Sequence, residues 1–322
     1  MKAYVYGASG AAITEVARPS PKGTQVLVRV RACGLNRADL GMTKGHAHGG
    51  AGGAGTVLGM EWAGEIAEVG PDARGIKVGD RVMGSGSAAF AEFTLADHGR
   101  LFRTPSNMNF EEACTLPIAL TTMHNAVVTN GALQAGQTVL IQGASSGVGL
   151  MALQIAKLKG ASLVIGSSTD PLRRGRLKEF GADLAVDSSD PGWVDQVLQA
   201  TSGEGVDLIV DQISGKVASQ NLKAAKIKGR IVNVGRLGGT HADFNFDLHA
   251  ARRISYIGVT FRSRTIEEIR EIFDEVRKDI WPAVESRKLQ LPIDKVFAFD
   301  DIGKAFEHME ANRHLGKIVV TF

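Results

Sequence analysis

Apolar and polar positions follow two different rhythms along the chain, and the change of rhythm divides it. Short runs in the first third alternate with period two: the start MKAYVYG, then Val26–Val30 (VLVRV), Glu65–Val69 and Phe90–Leu95. Strand side chains point to opposite faces in turn, so this alternation predicts half-buried strands. Dense glycine from Gly49 to Gly59, within HAHGGAGGAGT, predicts a loop. Short, closely spaced strands with many glycines predict a small barrel. Past residue 120 the runs at 139–142, 162–166, 184–187, 207–211, 230–235 and 256–261 are apolar almost throughout, as parallel strands covered on both faces are. Helix-period segments Gly147–Lys159, Leu172–Phe180, Trp193–Thr201 and Lys216–Ala225 fill the gaps. Strand and helix in strict alternation build a doubly wound parallel sheet. The last segment opens with one long amphipathic helix after Thr265 (IEEIREIFDEVRKDIWPAV) and closes on an apolar strand, Ile318–Phe322, that most simply rejoins the barrel. The pattern therefore predicts an α/β protein. Residues 1–119 with 263–322 form a barrel domain, and residues 120–262 form a doubly wound domain inserted in it.

The most informative stretch is Thr138–Lys157, TVLIQGASSGVGLMALQIAK. A β-branched apolar run ends in the small-residue turn Gly143-Ala144-Ser145-Ser146-Gly147-Val148-Gly149, and a helical stripe follows at Met151, Gln154, Ile155 and Leu158. Strand, tight turn and helix in this order aim unpaired helical N–H groups and the positive end of the helix dipole at whatever lies over the turn. That favours an anion such as a pyrophosphate. Small residues let phosphates approach the backbone, and Gly149 lets the helix pack close to the strand. Ala144, Ser145, Ser146, Gly147 and Val148 are accordingly the candidate pyrophosphate contacts.

Composition narrows the function classes. The 322 residues are 44% hydrophobic and 22% charged with a net charge of +3, a profile of an ordinary globular protein that gives no argument for nucleic acid. No uninterrupted apolar run is long enough for a transmembrane helix, and the start lacks the apolar segment of a signal peptide. Two cysteines, Cys33 and Cys114, make neither a disulfide framework nor a four-cysteine zinc site, which points to the cytoplasm. His46 and His48 read as loop histidines, because no third ligand accompanies them in a suitable pattern.

Ordered motifs run along almost the whole chain: GLNRADL at 34–40, LGMEWAGEIAEVG at 58–70, KVGDRVMG at 77–84, FAEF at 90–93, LIQGASSGVG at 140–149, GVDLIVD at 205–211, GRIVNVG at 229–235, YIGVTF at 256–261 and GKIVV at 316–320. In these the chain resembles the medium-chain dehydrogenase/reductase superfamily. Within it the chain is most similar to the zinc-free quinone oxidoreductase (zeta-crystallin-like) branch, with polyketide enoyl reductases next. The resemblance implies a Rossmann domain inserted in a GroES-like barrel. Zinc-dependent members hold their catalytic metal with cysteine, histidine and cysteine at positions that here carry Asn36, Met60 and Ile118. An amide, a thioether and an alkane do not make that ligand set, so no metal is expected.

NAD-binding sites of this architecture usually end the second strand in Asp or Glu, which binds the ribose hydroxyls. This chain has Gly166-Ser167-Ser168-Thr169 there, then Asp170, with Arg173, Arg174 and Arg176 following. Hydroxyls and arginines suit a 2′-phosphate, so Ser167, Ser168 and Arg173 are candidate contacts and NADPH the expected cofactor. A solvated helix face is the competing reading of the arginines. The resemblance adds Thr122 near the nicotinamide, Gly235 and Arg236 along the cofactor, Val259 and Phe261 at the carboxamide and Lys317 as a cation for the pyrophosphate. Ala144 and Ser146 depart from the glycines of the dehydrogenase pattern, and Ser188 stands where several relatives have a tyrosine over the adenine.

The expected chemistry is hydride transfer from NADPH to a small electrophile whose developing charge is delocalised, a quinone or the C=C bond of an enone or enoyl compound. Zinc-free alcohol or carbonyl oxidoreduction, and a non-catalytic NADPH-binding, crystallin-like and RNA-contacting role, are the alternatives. Asn36 is read either as an amide orienting the acceptor or as a structural amide of the barrel turn. Met42, Met60, Trp62 and Phe90 are read either as substrate pocket or as barrel core. No general acid stands out; Lys44, His46 and His48 are candidates. The strand at 256–261, an apolar sheet edge, is expected to pair with a second copy in a homodimer.

Overall fold

The computed structural model describes residues 1–49 and 52–322; the loop expectation for Gly50 and Ala51 lies outside these. Contacts divide the chain into a unit made of Met1–Ile118 with Phe261–Phe322 and a second unit, Ala119–Thr260.

The strands of the first unit are β1 (Lys2–Gly7), β2 (Gly10–Glu15), β3 (Gln25–Gly34), β4 (Thr56–Val57), β5 (Glu61–Val69), β6 (Arg81–Ser85), β7 (Phe93–Asp97) and β8 (Leu101–Arg103). Its second segment adds β15 (Ile293–Ala298) and β16 (Lys317–Thr321). They form a three-stranded sheet, β2-β1-β4, and a seven-stranded sheet, β15-β16-β3-β5-β6-β8, with β7 also on β3. Two of the period-two runs lie inside longer strands, β3 running to Gly34 and β5 beginning at Glu61, whereas the run read at Phe90–Leu95 is displaced, its strand being Phe93–Asp97. The C-terminal strand does rejoin this sheet, β16 lying antiparallel to β3 with Val320 opposite Cys33. Trp62, Phe90, Leu58, Ile66 and Val28 fill the core, and Phe306 stacks on Tyr4 at 5.7 Å. The predicted single long helix is two. It runs Ile266–Asp279, stops at Ile280 and restarts as Trp281–Glu285, with Pro282 in the new first turn. Proline has no N–H to continue the ladder but suits a helix start.

The second unit holds β9 (Thr138–Gln142), β10 (Leu163–Ser167), β11 (Leu184–Val186), β12 (Val206–Asp211), β13 (Ala225–Asn233) and β14 (Ser255–Gly258). All five pairings are parallel and the order is β11-β10-β9-β12-β13-β14, a doubly wound Rossmann sheet. The order reverses direction between β9 and β12, and such a reversal leaves a crevice at the carboxyl ends of the two strands. Several expected elements are shorter, among them the helix expected over Lys216–Ala225, which runs Ala218–Ala224. The helix expected over Leu172–Phe180 is a five-residue helix, Pro171–Gly175, followed by a 3-10 turn, Leu177–Phe180. The strand expected over 256–261 ends at Gly258, and as the outermost strand it pairs, among the described residues, only with β13.

Candidate functional site

In the Rossmann unit, β9 enters its turn through Gly143 at φ 72°, a left-handed conformation that glycine adopts without strain. Ser146 caps the helix Gly147–Leu158 by accepting from the Gly149 N–H at 3.1 Å. The N–H groups of Gly147 and Val148 have no acceptor within the helix itself, which leaves them for an anion. A Cβ on Gly149 would stand 2.6 Å from the Gly143 carbonyl and 2.7 Å from the Ala144 Cα. Only glycine allows this approach. The cradle fits a dinucleotide pyrophosphate. Ala144 is buried, and Ser145 accepts the Ser168 hydroxyl at 3.0 Å.

The end of β10 is more constrained than its sequence suggests. Ser167 is fully buried; its hydroxyl donates to Gln142 Oε1 at 2.6 Å and accepts the Gly143 N–H at 3.0 Å. The expectation that this hydroxyl meets a 2′-phosphate is therefore corrected: it holds the turn. Asp170 caps the following helix by accepting the Arg173 N–H at 2.9 Å, and that bond, foremost, keeps its carboxyl below the ordinary range. Arg174 donates to the Ser168 carbonyl at 2.8 Å and to Asp187 at 3.0 Å, and Arg176 pairs with Glu179. Arg173 Nε lies 3.6 Å from Asp170 Oδ2. Arg174 and Arg176 thus serve local structure, Arg174 as a tie between Ser168 and Asp187 rather than as part of a solvated face.

The loops after β12 and β13 are tied together. A Cβ on Gly235 would meet the Gln212 carbonyl at 2.5 Å, and the Ser214 hydroxyl donates to the Gly235 carbonyl at 2.6 Å. Arg236 is exposed, with one guanidinium nitrogen on the Val234 carbonyl at 3.1 Å. Val259 is buried, its N–H on the Asn233 carbonyl at 3.1 Å; Thr122 is half-buried in the helix Pro117–His124. Phe261 falls in the first unit, half-buried.

That first unit contains a buried charge cluster. Lys317 Nζ lies 2.6 Å from Glu61 Oε2 and 2.9 Å from Asn36 Oδ1, with Lys317 5% and Glu61 0% exposed. Asn36 Nδ2 donates to Glu61 Oε2 at 3.1 Å and to the Gly34 carbonyl at 3.3 Å, while the Ile118 N–H donates to Glu61 Oε1 at 2.6 Å. Gly34 makes room: a Cβ there would meet the Cys114 carbonyl at 2.6 Å and the Lys317 stem at 3.1 Å. Asp39 closes the cluster, accepting the Asn36 N–H at 2.8 Å. Burial, opposed by that bond and by Lys317, pushes the Asp39 carboxyl up to about 7.

Several expected roles change with this geometry. Lys317 is committed to a buried carboxylate that requires a cation, not directed at a pyrophosphate. Asn36 spends both amide donors inward. Trp62 and Phe90 are fully buried and Met42 nearly so, all in the barrel core, so close packing, not pocket lining, explains these three; Met60 is half-buried against that core. Lys44 pairs with Glu310. Burial, reinforced by Arg262, lowers the His48 pKa.

Two family models match the chain, the alcohol dehydrogenase GroES-like domain over residues 22–106 and the zinc-binding dehydrogenase over residues 147–278. The chain belongs to the medium-chain dehydrogenase/reductase superfamily. The human quinone oxidoreductase is 29% identical over 302 residues, covering 92% of this chain and 88% of that protein. A phenolphthiocerol/phthiocerol polyketide synthase of Mycobacterium tuberculosis is 30% identical over 311 residues, 96% of this chain. The chain spans only 14% of that synthase's length. The solved structure of CurK enoyl reductase superposes with a TM-score of 0.86 at 26% identity, covering 99% of each chain.

Superfamily members bind a nicotinamide cofactor, and the glycine cradle of the turn is a fit for its diphosphate. The metal named by the second family model is not a fit. Among the described residues no three His, Cys, Asp or Glu side chains gather to hold an ion. The buried carboxylate Glu61 already has the ammonium of Lys317 as its cation. The motif reading missed Glu61 and Asp39, and in the Rossmann unit it missed Gln142, Asp211 and Asn221, all fully buried. A polar residue closing a run of apolar strand residues, as Gln142 does after Val139–Ile141 and Asp211 after Leu208–Val210, is the signal that marks these two.

Proposed function

We propose that the chain is an NADPH-dependent, zinc-independent oxidoreductase that reduces a quinone or the activated C=C bond of an enone or enoyl compound. The observation that carries the cofactor choice is the end of β10. No carboxylate stands on the strand end itself, and Asp170, the next acidic group, is engaged as a helix cap. A 2′-phosphate there meets no free carboxylate, with Arg173 adjacent.

When bound, the nicotinamide supplies a hydride. The protein's part is to hold and orient. Gly147 and Val148 N–H groups, with the dipole of the helix Gly147–Leu158, hold the diphosphate. Arg173 holds the 2′-phosphate. The Gly235–Arg236 loop keeps its course through the Ser214–Gly235 bond. With no Lewis acid to stabilise an alkoxide, an acceptor that delocalises charge lowers the demand on the site. The names of the quinone oxidoreductase and enoyl reductase relatives support both acceptor types. A second copy pairing along the exposed edge of β14, beside the Phe244, Phe246 and Tyr256 aromatic cluster, completes the proposal.

The test is oxidation of NADPH, followed by loss of the reduced nicotinamide absorbance, with a quinone, an enone and a simple ketone offered separately. Turnover with the quinone or the enone is expected. Turnover with the ketone alone would overturn the proposal.

A further inference from the structure

Beneath the dinucleotide turn, four fully buried side chains form one file across the carboxyl ends of β10, β9 and β12. Ser167 Oγ donates to Gln142 Oε1 at 2.6 Å, Gln142 Nε2 donates to Asn221 Oδ1 at 2.9 Å, and Asn221 Nδ2 donates to Asp211 Oδ2 at 3.0 Å. Every link donates in the same direction. The file ends on a carboxylate, which only accepts, so Asp211 sets the polarity of all the links behind it. At the far end the Ser167 proton is committed to Gln142, which leaves an oxygen lone pair for the Gly143 N–H at 3.0 Å. The other oxygen of Asp211 accepts the N–H groups of Ile213 at 2.8 Å and Ser214 at 2.9 Å. Ser214 has φ 58° and ψ −134°, a conformation that a residue with a side chain adopts only when its surroundings enforce it. Its hydroxyl in turn accepts from Asn233 Nδ2 and donates to the Gly235 carbonyl.

We propose that Asp211 is a positioning residue for dinucleotide binding, fixing the Gly143 turn through Asn221, Gln142 and Ser167 and the Ser214 loop directly. The inference rests on the dinucleotide-binding reading and deepens it. The file lies where the strand order reverses between β9 and β12, the place at which doubly wound sheets bind ligands. A buried polar file is costly unless every member is satisfied, and once satisfied it has one geometry. Exchange of the terminal carboxylate for an amide sets a donor against Asn221 or against the two backbone N–H groups. The file then reverses or breaks, and the strain reaches the turn.

The experiment compares wild type, Asp211→Asn, Ser167→Ala and the double variant. Fluorescence titration gives Kd for NADPH and for NADH, and a melting curve is recorded for each protein. Asp211→Asn is expected to raise Kd about tenfold for both dinucleotides alike, because the file does not read the 2′-phosphate. Ser167→Ala is expected to raise both several-fold, and the double variant to be no worse than Asp211→Asn, since both changes break one file. A folded Asp211→Asn protein with both Kd values within twofold of wild type overturns the inference, as do additive effects in the double variant. If Asp211→Asn does not fold, Ser167→Ala decides alone: unchanged Kd values overturn the inference. Wild type binding neither dinucleotide is a separate result, which removes the dinucleotide reading and this inference with it.

Discussion

The Asp39 carboxyl makes stability depend on pH in a direction opposite to that of most carboxylates. It is fully buried, accepts one N–H from Asn36, and has no hydrogen-bond partner on Oδ1 among the described residues. Burial is the largest influence and raises its pKa from 3.8 to about 7. The folded chain therefore binds this proton more tightly than the unfolded chain. Its stabilising contribution is complete below the unfolded value and is lost as pH rises through the folded value. Between pH 5 and pH 8 the linkage relation gives a loss of about 2.5 kcal/mol from this group alone. Asp39→Asn removes the titration and keeps an oxygen for the Asn36 N–H. Urea unfolding of both proteins at several pH values across this window measures the difference. The wild type should lose about 2.5 kcal/mol more than the variant between the two ends. Parallel stability profiles would refute the assignment of a proton to Asp39.

Other expectations follow from the same geometry. Lys317→Met leaves Glu61 buried with no cation, and should cost roughly 3–5 kcal/mol, with much of it recovered by adding Glu61→Gln; denaturation midpoints measure both. Gly149→Ala sets a Cβ 2.6 Å from the Gly143 carbonyl, and should abolish dinucleotide binding in titration while the first unit stays folded. Arg173→Ala should weaken NADPH by about 1–3 kcal/mol and NADH far less; equal weakening of both would show that Arg173 does not read the 2′-phosphate.

The two-unit architecture was legible because its signals are periodic and local. Apolar runs covered on both faces, separated by helix-period segments, specify a parallel sheet without reference to anything distant, and GASSGVG marks the turn. What stayed hidden depends on partners far away in sequence. Ser167 looks like a phosphate ligand until Gln142 and Gly143 are seen to use its hydroxyl. Lys317 looks like a mobile cation until β16 is paired with β3 and brings it to Glu61, 256 residues earlier. Trp62 and Phe90 carry no local sign that separates a core residue from a pocket wall. Helix ends shifted for local reasons: Asp170 and Pro171 start the helix that leads into the Leu177–Phe180 turn, and Pro282 divides the long helix in two.

One titration followed by one assay with the purified chain tests the central claim most directly. Binding of NADPH and NADH is measured side by side, and the tighter cofactor is then offered a quinone, an enone and a simple ketone in metal-free buffer. NADPH binding at least tenfold tighter than NADH, followed by its oxidation with the quinone or the enone, is the predicted result. Preference for NADH, or turnover that appears only when zinc is restored, would contradict it.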